Sequence, residues 1–205
     1  VSKFGFGQTT RIGLKNEIRG VLHFPDNLAW SDSNLATNAF GQGISVTPLQ
    51  LASAVSAIAN DGVIMYPHVV AERHYADGRR IPVTLREMRK PISTETAHTV
   101  AKMMQHVIDH QIETAQVPGY SVAGKTGTAQ IPISGGYDRE NVITSFVGFG
   151  PMPDPKVLIL VKLDRPGVDP SIRWGTTTAA PVFSTVAARF FQLLGIPPVD
   201  GVAVP

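Results

Sequence analysis

The chain has 205 residues, 43% apolar and 17% charged, with no cysteine and a formal net charge of +2. That balance fits one globular domain, or a large piece of one, and excludes disulfides, thiolate metal sites and cysteine nucleophiles. The weak positive charge, with no basic run interleaved with aromatics, argues against a nucleic-acid binder, and no apolar run approaches the ~20 residues that cross a bilayer.

In chain order, residues 1–30 set short apolar clusters among Gly and Asn, the pattern of loops. Ser31-Asp32-Ser33-Asn34 reads as turn and capping chemistry. Thr47 followed by Pro48 is a helix N-cap with proline at the first helical position. Leu49, Leu51, Ala52, Val55, Ile58 and Ala59 then keep helical spacing as far as Asn60, and Asp61-Gly62 supplies the stop. Residues 63–92 read as short strand-like runs around an Asp77-Gly78 turn. A second helix spans Ser93 to Ile112, with Ala97, Val100, Ala101, Met104, Val107 and Ile108 on one stripe. After the Pro118-Gly119 turn, three strands are predicted over Tyr120–Ile131, Val142–Gly150 and Lys156–Leu163, the last two joined through Pro153-Asp154-Pro155. A final helix from Thr178 to Leu194 ends at Gly195 and two prolines. Short links between the strands favour antiparallel pairing. The expected fold is α/β (α+β), an antiparallel sheet with helices on both faces. Three strands are thin cover for so many helices, so the fold is expected to be incomplete in this chain.

Lys125-Thr126-Gly127-Thr128 lies inside the first predicted strand. An enzyme that acylates itself on the carboxyl end of a peptide needs a cation there, to raise the local potential and attract a carboxylate. It needs hydroxyls to bond that carboxylate, and an open backbone edge on which an extended peptide can add as a strand. It also needs a backbone N–H aimed at the developing oxyanion. The four residues carry these groups, and Gly127 lets a ligand approach the backbone closely.

The tetrapeptide resembles the Lys-Thr-Gly element of penicillin-binding proteins and serine β-lactamases. Its surroundings resemble class B penicillin-binding proteins: Phe40-Gly41-Gln42-Gly43-Ile44-Ser45-Val46-Thr47-Pro48-Leu49-Gln50-Leu51 before a helix, Ser145-Phe146-Val147-Gly148-Phe149 on the following strand, and Ala179-Ala180-Pro181-Val182-Phe183 opening the last helix. The resemblance implies a peptidoglycan D,D-transpeptidase of penicillin-binding fold, inactivated by β-lactams and working through an acyl-serine. By it, Lys125 is the active-site cation and Thr126 and Thr128 bind the substrate carboxylate. The N–H of Thr128 forms half of the oxyanion hole, beside Gly127. It also implies peptidoglycan stem peptides as substrate, no cofactor, and a place on the outer face of the bacterial cytoplasmic membrane through an anchor outside this chain.

The family also needs Ser-x-x-Lys and Ser-x-Asn, and no serine here has either spacing. Residues 1–205 are therefore expected to be the C-terminal portion of a transpeptidase domain, by truncation or nicking, whose upstream segment supplies the nucleophile. A penicillin-recognising sensor or an inactive relative stays open, as does a D,D-carboxypeptidase, which Phe40–Leu51 disfavours. Gly119-Tyr120-Ser121-Val122-Ala123-Gly124-Lys125-Thr126 also satisfies a phosphate-loop pattern, but such a loop must run into a helix, and Gly127, Thr128 and Pro132 oppose one. His106 and His110, four apart on the second helix, read as a solvated face, and no metal is expected. Trp30 and Trp174 read as packing residues, and Gly135-Gly136-Tyr137 as a mobile loop tip.

Overall fold

The computed structural model describes residues 1–28 and 30–198, with Arg139 described by its backbone alone. The N-terminal thirty residues are loops carrying a 3-10 turn, Ser2–Phe4, and a bridge from Val21 to Ser45. Helix α1, Asp32–Ala39, follows where only turn and capping chemistry was predicted. The capping is present: the Ser31 N–H donates to Asn34 Oδ1 at 2.7 Å.

Helix α2 covers Pro48–Ala59. The Gln50 N–H donates to Thr47 Oγ1 at 3.1 Å and the Thr47 N–H to Gln50 Oε1 at 2.8 Å, a reciprocal box that satisfies two otherwise orphan amides. Gly62, at φ 87°, closes the helix with its N–H on Ala57 O. Four short strands come next, β1 (Ile64–Met65), β2 (Glu72–His74), β3 (Arg80–Pro82) and β4 (Glu87–Arg89). β2 and β3 form the hairpin predicted around Asp77-Gly78, and β1 pairs with β4. Helix α3, Thr94–Gln111, starts where Ser93 Oγ accepts the Thr96 N–H.

The main sheet has three antiparallel strands in the order β5 (Ala123–Ile133), β6 (Gly136–Gly150) and β7 (Val157–Asp164). The predicted ends are corrected here: β5 and β6 run on as a ribbon past Gln130 and turn at Ser134-Gly135. Pro132, which lacks an N–H, falls where the register shifts, and Gly135 takes φ 83° at the tip. Gly136 and Tyr137, read as part of a mobile tip, are strand residues paired with Ile133 and Pro132.

Strand alternation splits the core between two faces. On one face Val122, Phe146 and β7 residues Val157, Ile159 and Val161 pack against Phe183, Ala187 and Phe191 of helix α4, Ala179–Leu193. On the other, Ala123, Phe149 and Leu158 meet Ala101 and Met104 of α3 and Val55 and Ile58 of α2. Helices therefore cover both faces, as expected. Glycine is required where buried rings crowd the sheet: a Cβ on Gly148 would stand 2.5 Å from Phe183 Cζ. Phe146 and Phe183 pack with centroids 4.6 Å apart and planes tilted by 42°. Among the described residues, β5 and β7 are the two edges of this sheet.

Candidate active site

Lys125 to Thr128 lie in mid-strand on β5, paired with Val147, Phe146, Ser145 and Thr144 in turn. The backbone is extended through all four and into Ala129, so no helix follows Thr126 and the phosphate-loop reading fails. Because β5 is an edge, alternate N–H and C=O groups along it point away from β6, available to a further strand.

Alternation sends the side chains two ways. Gly124, Thr126 and Thr128 share the α4 face, whereas Lys125 and Gly127 share the face that α2 and α3 cover at its Ala123 and Phe149 end, where Val147, the partner of Lys125, is also buried. Lys125 is exposed there, and Gly127 and Ser145 are half-buried. The Lys125 ammonium donates to Thr126 O at 3.1 Å and more weakly to Thr126 Oγ1 at 3.4 Å. A Cβ on Gly127 would come 2.6 Å from Ser145 Oγ, so glycine leaves this rung open without displacing the Ser145 hydroxyl. The strand thus brings together one cation, two hydroxyls and a bare stretch of backbone, the set that the motif predicts.

A second element converges on the same strand without having been expected. The turn before α4 lies against β5, with the Gly175 N–H donating to Thr128 Oγ1 at 3.1 Å. Thr178 Oγ1 reaches Thr144 Oγ1 at 2.8 Å, and Thr144 is fully buried. Trp174 contradicts the packing role expected of it: it is 55% exposed, its indole N–H resting on Ser171 O at 3.2 Å. Trp30 is half-buried. A Trp-Gly-Thr run just before a helix carries no local signal of this contact, because its partner Thr128 is 47 residues away.

Other candidates lie apart from β5. His106 and His110 meet on α3 with ring centroids 4.2 Å apart and planes tilted by 49°, and no group of three or more His, Cys, Asp or Glu suited to a metal occurs among the described residues. A cleft of about 710 Å³, lined by Lys3, Arg11, Arg19, Arg89 and Lys90 among others, includes no β5 residue. The candidate site is an open strand edge and not an enclosed cavity.

The family model for the penicillin-binding-protein transpeptidase domain matches residues 1–188. Stage V sporulation protein D of Bacillus subtilis is 37% identical over 207 residues, covering 97% of this chain and 30% of that protein. Penicillin-binding protein PbpB of Mycobacterium tuberculosis is 35% identical over 205 residues, covering 95% of the chain and 30% of the relative. The chain thus spans under a third of the length of these relatives. Among solved structures, penicillin-binding protein 3 of M. tuberculosis in complex with ampicillin superposes with a TM-score of 0.85 at 33% identity, over 97% of this chain and 46% of that one. The ligand-free transpeptidase domain of Burkholderia pseudomallei penicillin-binding protein 3 gives 0.79 at 32% identity, over 96% of this chain and 56% of that one. With a family match over residues 1–188, relatives above 30% identity and the fold shared with solved penicillin-binding proteins, this chain belongs to the penicillin-binding-protein transpeptidase family.

Proposed function

We propose that the complete protein is a peptidoglycan D,D-transpeptidase and that this chain forms the Lys-Thr-Gly wall of its active site. The supporting observation is the β5 edge: an extended strand, paired with β6 on one side and open on the other among the described residues, that presents an exposed Lys125 on one face and Thr126 and Thr128 on the other. A stem peptide ending in D-Ala-D-Ala adds to that edge as a strand. Its terminal carboxylate is held by the Thr126 and Thr128 hydroxyls, in hydrogen bonds strengthened by the charge on the acceptor. Lys125 supplies the positive potential that draws the carboxylate in and favours ionised oxygens nearby. The Thr128 N–H contributes to the oxyanion hole as the carbonyl becomes tetrahedral.

The nucleophile belongs to a segment outside residues 1–205, because no serine here stands three residues before a lysine. That segment docks on the face that carries the exposed Lys125. Its serine attacks the D-Ala-D-Ala carbonyl, the terminal D-Ala leaves with a proton, and an amine of a second stem peptide takes the acyl group from the serine. A β-lactam carries its own carboxylate to the same edge and acylates the same serine. Catalysis takes place outside the cytoplasmic membrane, and membrane attachment lies in a segment outside this chain; no helix among the described residues is long and apolar enough to span a bilayer.

The test is an assay of the complete protein with D-Ala-D-Ala stem peptides and an amine acceptor. Release of D-Ala with formation of a cross-linked dimer is expected, and Lys125→Ala should abolish both. Release of D-Ala with no dimer would make the protein a carboxypeptidase, and β-lactam acylation without either product would make it a sensor.

A further inference from the structure

We propose that Gly175 sets the direction of the Thr128 hydroxyl, with Thr178 holding Gly175 in place, so that this hydroxyl faces the substrate as a donor. The inference rests on the reading of β5 as the carboxylate-binding edge and deepens it. A hydroxyl has one proton to give and two lone pairs with which to accept. The Gly175 N–H occupies one lone pair of Thr128 Oγ1, at 3.1 Å. With that acceptor position filled from inside the protein, the proton of Thr128 turns outward, where a carboxylate can receive it. The neighbouring Lys125 ammonium is engaged with Thr126, not Thr128.

Gly175 is held from both sides. Its carbonyl accepts the N–H groups of Ala179 at 3.2 Å and Ala180 at 2.9 Å, so the turn that carries Gly175 is tied directly to the start of α4. Thr178 grips the same rung of the sheet: Thr128 pairs with Thr144, and Thr178 Oγ1 lies 2.8 Å from Thr144 Oγ1 and 2.7 Å from Trp174 O. From the outer side, Thr114 Oγ1 donates to Thr176 O at 2.6 Å. No side chain fits at 175. A Cβ there would stand 2.8 Å from both Gly127 O and Ser145 O and 3.3 Å from Thr126 Cβ. The first two are backbone atoms of paired strands and do not yield, so any substitution lifts the turn and withdraws the N–H from Thr128. Gly175 and Thr178 are positioning residues: they act on substrate through Thr128.

The measurement is the acylation rate of the complete protein by a β-lactam with a free carboxylate and by its methyl ester, in wild type, Gly175→Ala, Thr178→Val and Thr178→Ser. Gly175→Ala should slow the carboxylate form roughly 10-fold, the worth of a hydrogen bond to a charged group, and leave the ester rate within about twofold. Thr178→Val should lower the carboxylate-to-ester ratio about threefold, a fraction of the same bond, and Thr178→Ser should restore it. A merely structural role would slow both substrates together, so parallel losses, or an unchanged ratio in either variant, overturn the positioning role. If Gly175→Ala fails to fold, the Thr178 pair decides alone. A wild-type protein that takes up neither β-lactam overturns the reading of β5 and this inference with it, an outcome distinct from an acylated wild type with unchanged ratios.

Discussion

Thr126 has a half-buried side chain whose hydroxyl carries a weak 3.4 Å contact from Lys125, so little of the fold depends on it. Thr126→Val keeps the branched shape that suits a strand and removes only the donor. A hydrogen bond to a charged group contributes about 1.5–3 kcal/mol, so acylation by carboxylate-bearing β-lactams should slow by roughly 10- to 150-fold. The urea midpoint should hardly move, because a substitution outside the core changes stability by within ~0.5 kcal/mol. Stopped-flow acylation and equilibrium unfolding of the complete protein check the two halves separately. An unchanged rate would remove Thr126 from carboxylate binding.

The elements that hold the site are capped by residues far from it. Gln50 is buried in the cap of α2, and its amide donates to Gln8 O at 2.7 Å and Arg19 O at 2.8 Å, so the same side chain pins two N-terminal loops. Thr47→Ala should cost about 1 kcal/mol, the usual loss for an N-cap threonine, and thermal unfolding of the complete protein measures it. Helices α2 and α3 are legible in the sequence because cap, apolar stripe and stop agree. Helix α1 is not, because Asp32–Ala39 holds one large apolar residue, Leu35, and that is exposed, so no stripe marks it. The far end of the β5–β6 ribbon is hidden for another reason. Pro132, Gly135 and Gly136 look like strand breakers, and only the bulge and the tight turn between them keep the pairing going. At the site, Lys125 to Thr128 is legible as a motif because four consecutive residues carry its chemistry. Gly175 and Thr178 are invisible, since their meaning lies in contacts with Thr128 and Thr144 across the fold.

At the scale of the molecule, the chain has a core, and under the proposed function it holds one part of the site. Phe146, Phe149, Phe183 and Phe191 are fully buried, so the sheet and its helices pack as a domain interior does. Elsewhere apolar surface stands open: Val182, Phe190 and Leu193 are exposed on α4, and the apolar residues of edge strand β7 are only half-buried. Lys125 is likewise exposed on its face of the sheet. Each of these surfaces is accounted for if a further segment completes the sheet and brings the serine to β5. The most direct measurement is to label the complete protein with a fluorescent penicillin, digest it, and locate the modified residue by mass spectrometry. The label is predicted on a serine outside residues 1–205, in a peptide where lysine follows three positions later. A label on any serine or threonine within these 205 residues would contradict the division of the site between this chain and the rest of the protein.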